Sequence, residues 1–466
     1  MSEVIAALRA QLGEEAVLTG ADVGARSRNF WDAAPLEALT IVRPRTTQEV
    51  SSALRICHER GQPVVTHGGR TGCCDGDRSG RADVVVSLER MIGVEEIDPV
   101  GRTVTVQAGC VLQTLQEAVA SHGLYLPLDL GARGSCTIGG NVATNAGGIN
   151  VIRYGMVRAL VLGLEAVLAD GTVLSSMNRM LKNNSGYDLK QLFIGTEGTL
   201  GIITRVVLAL KEAPVSAASA LVALDEPEKI ARLLKHMDRG LGGLLSAYEV
   251  MWGSYFRAVT EPGWHAAPLS RDYPYYVVME AQGADQELDS ARFESTLESA
   301  FDGGLIVDAV LPKSKSERDR VWAIREDFES VLQRRPLFLY DVSLPIRDMV
   351  AYVRKVEQRL EDLWPEHEFY VLGHIGDGNL HFFIHPGIEA APGQHEQSDR
   401  AVYEPLSEFG GAVSAEHGIG LDKRRWLPLS RNHEEIAVMR LLKRSLDPKN
   451  ILNPGKVIDM SHPGVG

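Results

Sequence analysis

The feature that most constrains this chain is an uncharged run at residues 134–148, which reads GSCTIGGNVATNAGG. A second glycine-rich segment, THGGRTGCCDG at residues 66–76, follows a short apolar run. Glycine lets a backbone approach a ligand closely, and the exposed backbone N–H groups of such segments bind phosphates. The two segments therefore predict a pocket for a phosphate-bearing cofactor rather than flexible surface loops.

Several classes of protein are disfavoured by simple pattern and charge. Neither glycine segment fits G-x-G-x-x-G or G-x-x-x-x-G-K-[ST], which argues against a classical NAD site and a P-loop NTPase. The net charge of −13 comes with no basic block, so nucleic-acid binding is not expected. No apolar run approaches the roughly 20 residues of a membrane span. Five cysteines, an odd and small number, favour a reducing cytoplasm over a secreted disulfide framework.

The pattern of predicted strands and helices changes near residue 214. Before it, short strands and helices alternate: a small βαβ unit is predicted over residues 38–69, a helix over 112–122, and hairpins turn at 98–101 and 170–171. Residues 126–155 show little periodicity. After Pro214, strands alternate with long charged helices, which predicts a compact α/β sandwich with an antiparallel sheet.

The stretch GHIGDGNLHFFI at 373–384 places two histidines on either side of a turn. If Asp377-Gly378 form a two-residue hairpin turn, His374 pairs directly with His381. Directly opposed residues on a sheet face have Cβ atoms roughly 5 Å apart, which suits two nitrogens binding one metal ion. From the hairpin alone, two structural histidines beside a turn are an equal alternative.

The order of motifs resembles a known family. GGRTG, CTIGGNVATNAGG, LADGTV, GTEGTLGIIT and the C-terminal DPKNILNPGKV resemble the FAD-binding domain of vanillyl-alcohol-oxidase (PCMH) type flavoproteins. HIGDGNLH and SAEHGIG narrow the resemblance to the FAD-dependent D-2-hydroxyacid dehydrogenases. The resemblance implies an α+β protein with a two-lobed FAD-binding domain at 1–214 (an N-terminal helix, then a core from 37). A substrate (cap) domain would follow at 215–425, and a segment at 426–466 would return to the flavin domain.

The same resemblance implies which residues hold the cofactor. Relatives with covalent flavin carry histidine after the Gly-Gly pair; Arg70 stands there instead, so non-covalent FAD is expected. The residues implied to contact FAD fall into three groups. They are Gly68, Gly69, Arg70, Thr71 and Gly72 near the pyrophosphate; Gly139, Gly140, Asn141, Thr144, Asn145, Gly147 and Gly148 along the flavin and ribityl chain; and Glu197, Gly198 and Ile203 at the adenosine end, with Asn453 returning to the isoalloxazine.

The resemblance also assigns a metal site and a reaction. His374, His381 and Glu416 would bind a divalent metal, most simply zinc, with a coordination position open for substrate. His417 would be the base for the substrate hydroxyl, and the flavin would accept the hydride from C2. Arg325 would bind the substrate carboxylate, although an i,i+4 pair with Glu329 is an equal alternative on spacing. The remaining implied substrate contact is Asn379.

Departures from the family pattern bear on the substrate. D-2-hydroxyglutarate enzymes of this type carry threonine, lysine and asparagine where this chain has Glu329, Leu339 and Phe383. Each change removes a group that would hold a second carboxylate. A monocarboxylic D-2-hydroxy acid, such as D-lactate or a larger apolar relative, is therefore expected, although Arg334 or Arg335 could replace the missing cation.

Rival functions remain open at this point. A zinc hydrolase using the same three ligands leaves the glycine-rich half unexplained, and D-2-hydroxyglutarate dehydrogenase is the alternative within the family. A non-redox flavoprotein such as an alkyl-transferring synthase is a third reading. The electron acceptor could be a quinone, a cytochrome or an electron-transferring flavoprotein. By analogy a homodimer is plausible, and the protein is expected in the cytoplasm, with peripheral attachment to the inner membrane as an alternative.

Overall fold

The computed structural model describes residues 3–261, 263–333 and 335–461. These residues form two compact units, each assembled from segments that are separated along the chain. Within the described residues, the first unit comprises 3–147, 156–213 and 416–461, and the second comprises 148–155 and 214–415. The sequence placed the limits at 214 and 425, so the structure assigns 416–425 to the first unit and 148–155 to the second.

The regular elements alternate along most of the chain. The strands are β1 (Val17–Leu18), β2 (Thr40–Val42), β3 (Val64–His67), β4 (Val84–Ser87), β5 (Val94–Asp98), β6 (Thr103–Gln107), β7 (Leu124–Tyr125), β8 (Val161–Val167), β9 (Val173–Ser176), β10 (Ile202–Ala209), β11 (Lys211–Glu212), β12 (Ser216–Leu224), β13 (Leu245–Trp252), β14 (Tyr275–Gly283), β15 (Asp308–Val310), β16 (Phe338–Ser343), β17 (Glu368–Gly373) and β18 (Asn379–His385). The α-helices are α1 (Glu3–Leu12), α2 (Ala21–Gly24), α3 (Thr47–Glu59), α4 (Leu112–Ala120), α5 (Ile138–Thr144), α6 (Val151–Tyr154), α7 (Val157–Leu160), α8 (Glu228–Leu241), α9 (Gly253–Thr260), α10 (Gln286–Asp302), α11 (Lys315–Glu326), α12 (Glu329–Leu332), α13 (Met349–Leu363), α14 (Gln394–Tyr403), α15 (Leu406–Phe409) and α16 (His433–Leu446).

The predicted βαβ unit is confirmed in the first unit. Strands β2, β4 and β3 run parallel, with β4 between the two strands that α3 connects, and β1 adds an antiparallel edge. Helix α3 begins as its sequence suggests, because the Thr46 side chain accepts a hydrogen bond from Glu49 N at 3.2 Å. Val50, Leu54 and Cys57 on one face of this helix are fully buried.

A second sheet of the first unit is antiparallel, in the order β5-β6-β10-β8-β9. Both predicted hairpins are confirmed in it, since β5 pairs with β6 and β8 with β9. In the first turn the Asp98 carboxylate accepts hydrogen bonds from the N–H groups of Val100 and Gly101, at 3.0 and 2.9 Å. Helix α4 confirms the helix expected over 112–122, whereas α5 and α6 occupy a stretch that showed no periodicity.

The second unit contains a seven-stranded sheet in the order β15-β12-β14-β13-β17-β18-β16. Every neighbouring pair in this sheet is antiparallel, as expected from the sequence. On one side, side chains of β13, β14 and α9 form an apolar cluster that includes Tyr255, Phe256 and Tyr276. Strands β13, β17 and β18 lie near the centre of the sheet and carry the side chains described next. Among the described residues, we find no helix with the length and apolarity needed to cross a membrane.

Candidate functional site

The two histidines of GHIGDGNLHFFI come together, but not through the predicted turn. Leu372, rather than His374, pairs with His381 in the β17–β18 ladder, so the predicted register is wrong. His374 instead precedes one turn of 3-10 helix at Ile375–Asp377 and accepts a hydrogen bond from Asn379 N at 3.2 Å. The imidazole rings nevertheless lie edge to face, with centroids 5.2 Å apart.

A buried carboxylate lies behind each imidazole. His374 Nδ1 is 2.7 Å from Oε1 of Glu249 on β13, and His381 Nδ1 is 3.6 Å from Oδ1 of Asp341 on β16. Metal-binding histidines usually donate their second ring N–H to a carboxylate, which fixes the tautomer and increases ligand basicity. The hydrogen bond to Glu249 leaves Nε2 as the nitrogen that His374 can offer to a metal. The His381–Asp341 pair is an ion-pair contact rather than a hydrogen bond.

Two overlapping groups of side chains have the composition of a metal site. His374, His381 and Glu416 can offer ligand atoms that all lie within 4.8 Å of one another, and Glu416 directly follows the second unit along the chain. Asp341, His381 and His417 form the other group. Two imidazoles and a carboxylate are the donor set of many catalytic zinc sites. The residues present thus fit the metal that the sequence predicts.

Arg325 lies in the interior of the second unit, beside this group. Its side chain is 2% exposed, and its Nε donates a hydrogen bond of 2.9 Å to Oε2 of Glu249. The alternative pairing with Glu329 is wrong, because α11 ends at Glu326 and Glu329 begins α12 with an exposed side chain. Arg325 Nη2 is also 2.7 Å from Glu249 Oε2 but makes no hydrogen bond with the described residues. A buried guanidinium N–H group without a hydrogen-bond partner is suited to binding an anionic ligand.

Glu249 therefore contacts both an imidazole and a guanidinium. Burial raises the pKa of this carboxyl group, but the charges of His374 and Arg325 and their hydrogen bonds outweigh burial and leave the pKa below its ordinary value. Glu249 was not among the residues predicted from the sequence. The signal available was a single acidic residue within the otherwise uncharged strand LSAYEVMW, since a charged side chain in a buried strand requires a partner.

The side-chain NH2 group of Asn379 is already hydrogen-bonded within the second unit. Its Nδ2 donates to Asp341 Oδ1 at 2.8 Å and to the carbonyl oxygen of Val342 at 3.0 Å, while its Oδ1 has no hydrogen-bond partner among the described residues. Asn379 thus holds the carboxylate behind His381. Its predicted contact with substrate stays a prediction.

In the first unit, the two glycine-rich segments pack against each other. A Cβ atom on Gly68 would lie 2.6 Å from Thr137 Oγ1, and one on Gly69 would lie 2.2 Å from the carbonyl oxygen of Ser135. The hydroxyl groups of Thr137 and Thr66 are buried and have no hydrogen-bond partner among the described residues. Unpaired buried hydroxyls beside glycine backbone fit a polar cofactor, as predicted for FAD.

The other predicted cofactor residues lie in the first unit, except Gly148, which belongs to the second. Gly139, Gly140, Asn141 and Thr144 lie in α5, and Asn145 ends the helix in the left-handed conformation with its Oδ1 accepting a hydrogen bond from Arg158 N at 3.1 Å. The Arg70 guanidinium donates to the carbonyl oxygens of Ser27 and Arg28. A Cβ atom on Gly72 would meet nothing within 4 Å. Thr71, Gly147, Gly148, Gly198 and Ile203 keep their implied roles as predictions.

Glu197 and Asn453 make specific backbone contacts in the first unit. The Glu197 carboxylate accepts hydrogen bonds from Ile419 N at 2.7 Å and Gly420 N at 2.9 Å. Burial raises the pKa of Glu197 above its ordinary value, despite these bonds. Asn453 donates to the carbonyl oxygen of Glu197 and accepts from Thr66 N. The Asn453 bond to Thr66 N thus holds the backbone that carries the buried Thr66 hydroxyl.

Lys456 is a second buried residue that was not predicted from the sequence. Its Nζ is buried without a hydrogen-bond partner among the described residues, and burial lowers its pKa to about 8, although Asp77 and other carboxylates oppose this. Its position three residues after Asn453, in the NPGK stretch, was the available signal. A buried ammonium group also fits a phosphate-bearing cofactor, or one that gains negative charge when it is reduced.

Comparisons with known proteins agree with this organisation. Residues 38–176 match the family described as "FAD binding domain", and residues 213–457 match "FAD linked oxidases, C-terminal domain". The chain is 40% identical over 420 residues to D-2-hydroxyglutarate dehydrogenase, mitochondrial, of Bos taurus, covering 90% of this chain and 76% of that protein. It is 37% identical over 425 residues to D-2-hydroxyglutarate dehydrogenase of Xanthomonas citri pv. viticola, covering 90% and 89%.

A solved structure supports the fold at greater distance. p-Cresol methylhydroxylase with bound substrate superposes with a TM-score of 0.78 at 16% identity, covering 99% of this chain and 97% of that one. The expected α+β architecture of the vanillyl-alcohol-oxidase type is therefore confirmed. Together with the two family matches and the relatives above, this shows that the chain belongs to the family of FAD-dependent D-2-hydroxyacid dehydrogenases.

Proposed function

We propose that this protein oxidises a D-2-hydroxy acid to the 2-oxo acid, using non-covalent FAD held by the first unit and a divalent metal, most simply zinc, held by His374, His381 and Glu416. The observation that carries the proposal is the convergence of these ligands beside a buried arginine, Arg325. A hydrolase reading accounts for the metal ligands but not for the FAD-binding domain.

The bound groups would supply the chemistry that side chains lack. FAD provides a two-electron acceptor for the hydride on C2, and zinc provides a Lewis acid that lowers the pKa of the C2 hydroxyl. The chain's own residues bind and orient the substrate. The guanidinium of Arg325 binds the substrate carboxylate through the Nη2 group that makes no hydrogen bond with the described residues. A ring nitrogen of His417 accepts the hydroxyl proton.

Non-covalent attachment of FAD is supported by the position after the Gly-Gly pair. Arg70 carries no nucleophile there, and its guanidinium binds backbone carbonyl oxygens. His67, which precedes the pair, is buried and hydrogen-bonds through Nε2 to the carbonyl oxygen of Asp77 at 2.8 Å.

Five free thiols are consistent with a reducing cytoplasm.

For the substrate we favour a monocarboxylic acid with an apolar side chain. Leu339 and Phe383 pair across β16 and β18, and the rings of Phe383 and Phe328 stack with centroids 5.8 Å apart. These residues belong to the same apolar cluster as Ile324, the neighbour of Arg325. An apolar surface favours an alkyl group over a second carboxylate.

A second candidate substrate is D-2-hydroxyglutarate, which the names of the relatives favour. Its second carboxylate would need a cation in place of Leu339. Arg335 is exposed, and Arg334 lies outside the described residues. Glu329 is exposed, so water weakens the repulsion between its carboxylate and a second carboxylate on the substrate.

Anaerobic mixing of the FAD- and zinc-loaded protein with D-lactate, L-lactate and D-2-hydroxyglutarate tests the proposal. We expect D-lactate to bleach the flavin absorbance, L-lactate to leave it unchanged, and D-2-hydroxyglutarate to act at least about 10-fold more slowly. His381→Ala should abolish bleaching, whereas His385→Ala on the same strand should not. A clear preference for the diacid would overturn the substrate assignment. Failure of every D-2-hydroxy acid would overturn the function.

A further inference from the structure

Glu249 occupies an unusual place in the second unit. Its side chain is 1% exposed, and each of its two oxygens contacts a different basic group, His374 through Oε1 and Arg325 through Oε2. The β13–β17 ladder pairs Val250 with Gly373, so its register brings Glu249 beside His374. The position of this carboxylate is therefore fixed by a central strand.

The backbone that carries Arg325 is fixed as well. The hydroxyl of Tyr255, a fully buried residue of α9, hydrogen-bonds to the carbonyl oxygens of Arg325 and Asp327, both at 3.1 Å. Helix α11 ends at that point. Glu249 thus connects two elements, the end of β17 and the end of α11, whose side chains have different proposed ligands.

We propose that Glu249 is a positioning residue that couples metal binding to recognition of the substrate carboxylate. The proposal rests on the proposed function, because it takes His374 as a metal ligand and Arg325 as the carboxylate-binding residue. Oε1 holds the His374 ring with Nε2 available to the metal. Oε2 holds one edge of the guanidinium and neutralises a charge that would otherwise be buried alone.

A carboxylate is required here because both partners are donors. A glutamine in the same place would offer one oxygen and one NH2 group, so it could accept a hydrogen bond from only one of the two. The NH2 group would then face another N–H. Glu249→Gln should therefore disturb the metal site and the arginine together, although the substitution preserves side-chain size.

Zinc affinity, measured by competition with a chromogenic chelator, tests the proposal without relying on turnover. We expect Glu249→Gln to weaken zinc binding about 10- to 100-fold, and to raise KM for D-lactate at least about 10-fold. Glu280→Gln is the matched control, because Glu280 lies on the adjacent strand β14 and its recorded hydrogen bonds go to Ser219, Gln282 and Trp322. This control should keep wild-type zinc affinity.

The coupling is tested by adding Arg325→Gln and the double variant. If Glu249 connects the two sites, Arg325→Gln should weaken zinc binding several-fold in the wild-type background and have no effect in the Glu249→Gln background. If Glu249 had a purely structural role, the fold-losses of zinc affinity in the two single variants would multiply in the double variant. Should Glu249→Gln fail to fold, Glu249→Asp takes its place and should lose less zinc affinity than Glu249→Ala, because it keeps the charge.

The outcomes separate this proposal from the proposed function. If His374→Ala loses zinc while Glu249→Gln binds it like the wild type, the role of Glu249 is overturned and the metal site stands. Zinc affinity that is independent of both residues would overturn the metal site, and the role of Glu249 with it.

Discussion

Asn453 and Glu197, which are 256 positions apart in sequence, are joined by a hydrogen bond of 2.6 Å from Asn453 Nδ2 to the carbonyl oxygen of Glu197. The other end of the same amide accepts a hydrogen bond of 3.0 Å from Thr66 N, at the end of β3. One side chain from the C-terminal segment thus connects strand β3, which leads into Gly68 and Gly69, with the backbone at Glu197. Substitution of Asn453 can therefore test whether its amide stabilises the first unit.

We expect Asn453→Ala to destabilise the first unit by about 2–3 kcal/mol, because two buried backbone groups lose their partners. Asn450→Ala is the matched control. Both asparagines have a left-handed backbone, with φ of 42° and 51°, so alanine meets similar strain at each. The Asn450 Oδ1 has no hydrogen-bond partner within the described residues. Thermal denaturation and FAD titration of the two variants would measure the difference, and equal losses would contradict the assigned role.

His67 should make the first unit sensitive to acid. Burial lowers the pKa of this imidazole from 6.5 to about 3, although its bond to the carbonyl oxygen of Asp77 opposes the shift. Between pH 6.5 and 3 the unfolded chain binds a proton on this ring and the folded chain does not. The free energy of unfolding therefore falls as the pH falls through this window, by about 2 kcal/mol at pH 5 from this group, and is unaffected above it.

His67→Gln keeps a donor near the same place and removes the titration, so the variant should lose less stability than the wild type between pH 7 and 5. Denaturant unfolding at each pH measures this difference. His433→Gln, at an exposed position that begins α16, should follow the wild-type profile. If His67→Gln also follows it, the buried neutral imidazole is not a source of acid sensitivity.

Local chemistry made part of the fold predictable from sequence. The Asp98 and Asp170 turns form because an aspartate side chain can accept hydrogen bonds from the N–H groups that follow it, whatever the rest of the chain does. The start of α3 is equally local, since Thr46 and Glu49 are three residues apart. The apolar faces of these elements then follow from periodicity.

The features that could not be predicted from the sequence depend on tertiary packing. Helix α5 contains a Gly-Gly pair and a threonine, all poor helix formers, and it forms with Ile138 and Val142 buried in the core of the first unit. At the histidine turn, a Cβ atom on Gly373 would lie 2.3 Å from the carbonyl oxygen of Asn379, and this close approach replaces the expected two-residue turn. The partnership of Glu249 with Arg325 joins residues 76 positions apart, which no local pattern encodes.

Two predicted cofactor glycines should respond differently to alanine. A Cβ atom on Gly139 would lie 2.5 Å from Ala108 Cβ, whereas one on Gly72 would meet nothing within 4 Å. Gly139→Ala should therefore destabilise the unit by about 1–3 kcal/mol through overpacking. Gly72→Ala should leave the apoprotein's thermal midpoint unchanged, so any loss of FAD affinity reports a cofactor that uses this space. Wild-type FAD affinity in Gly72→Ala would remove Gly72 from the predicted contacts.

Leu339 and Phe383 should determine whether the protein accepts a diacid. Replacing them with lysine and asparagine, the residues that the family resemblance implies for D-2-hydroxyglutarate enzymes, adds a cation and an amide to an apolar surface. We expect the ratio of kcat/KM for D-2-hydroxyglutarate to that for D-lactate to rise at least about 10-fold, with a stability loss of about 1–3 kcal/mol from the buried polar groups. Leu337→Lys alone is the control, since it adds a cation two positions away, just before β16, and leaves Leu339 and Phe383 unchanged. If the Leu339→Lys/Phe383→Asn variant and the Leu337→Lys control shift the ratio equally, or if neither shifts it, Leu339 and Phe383 do not set the choice between one carboxylate and two.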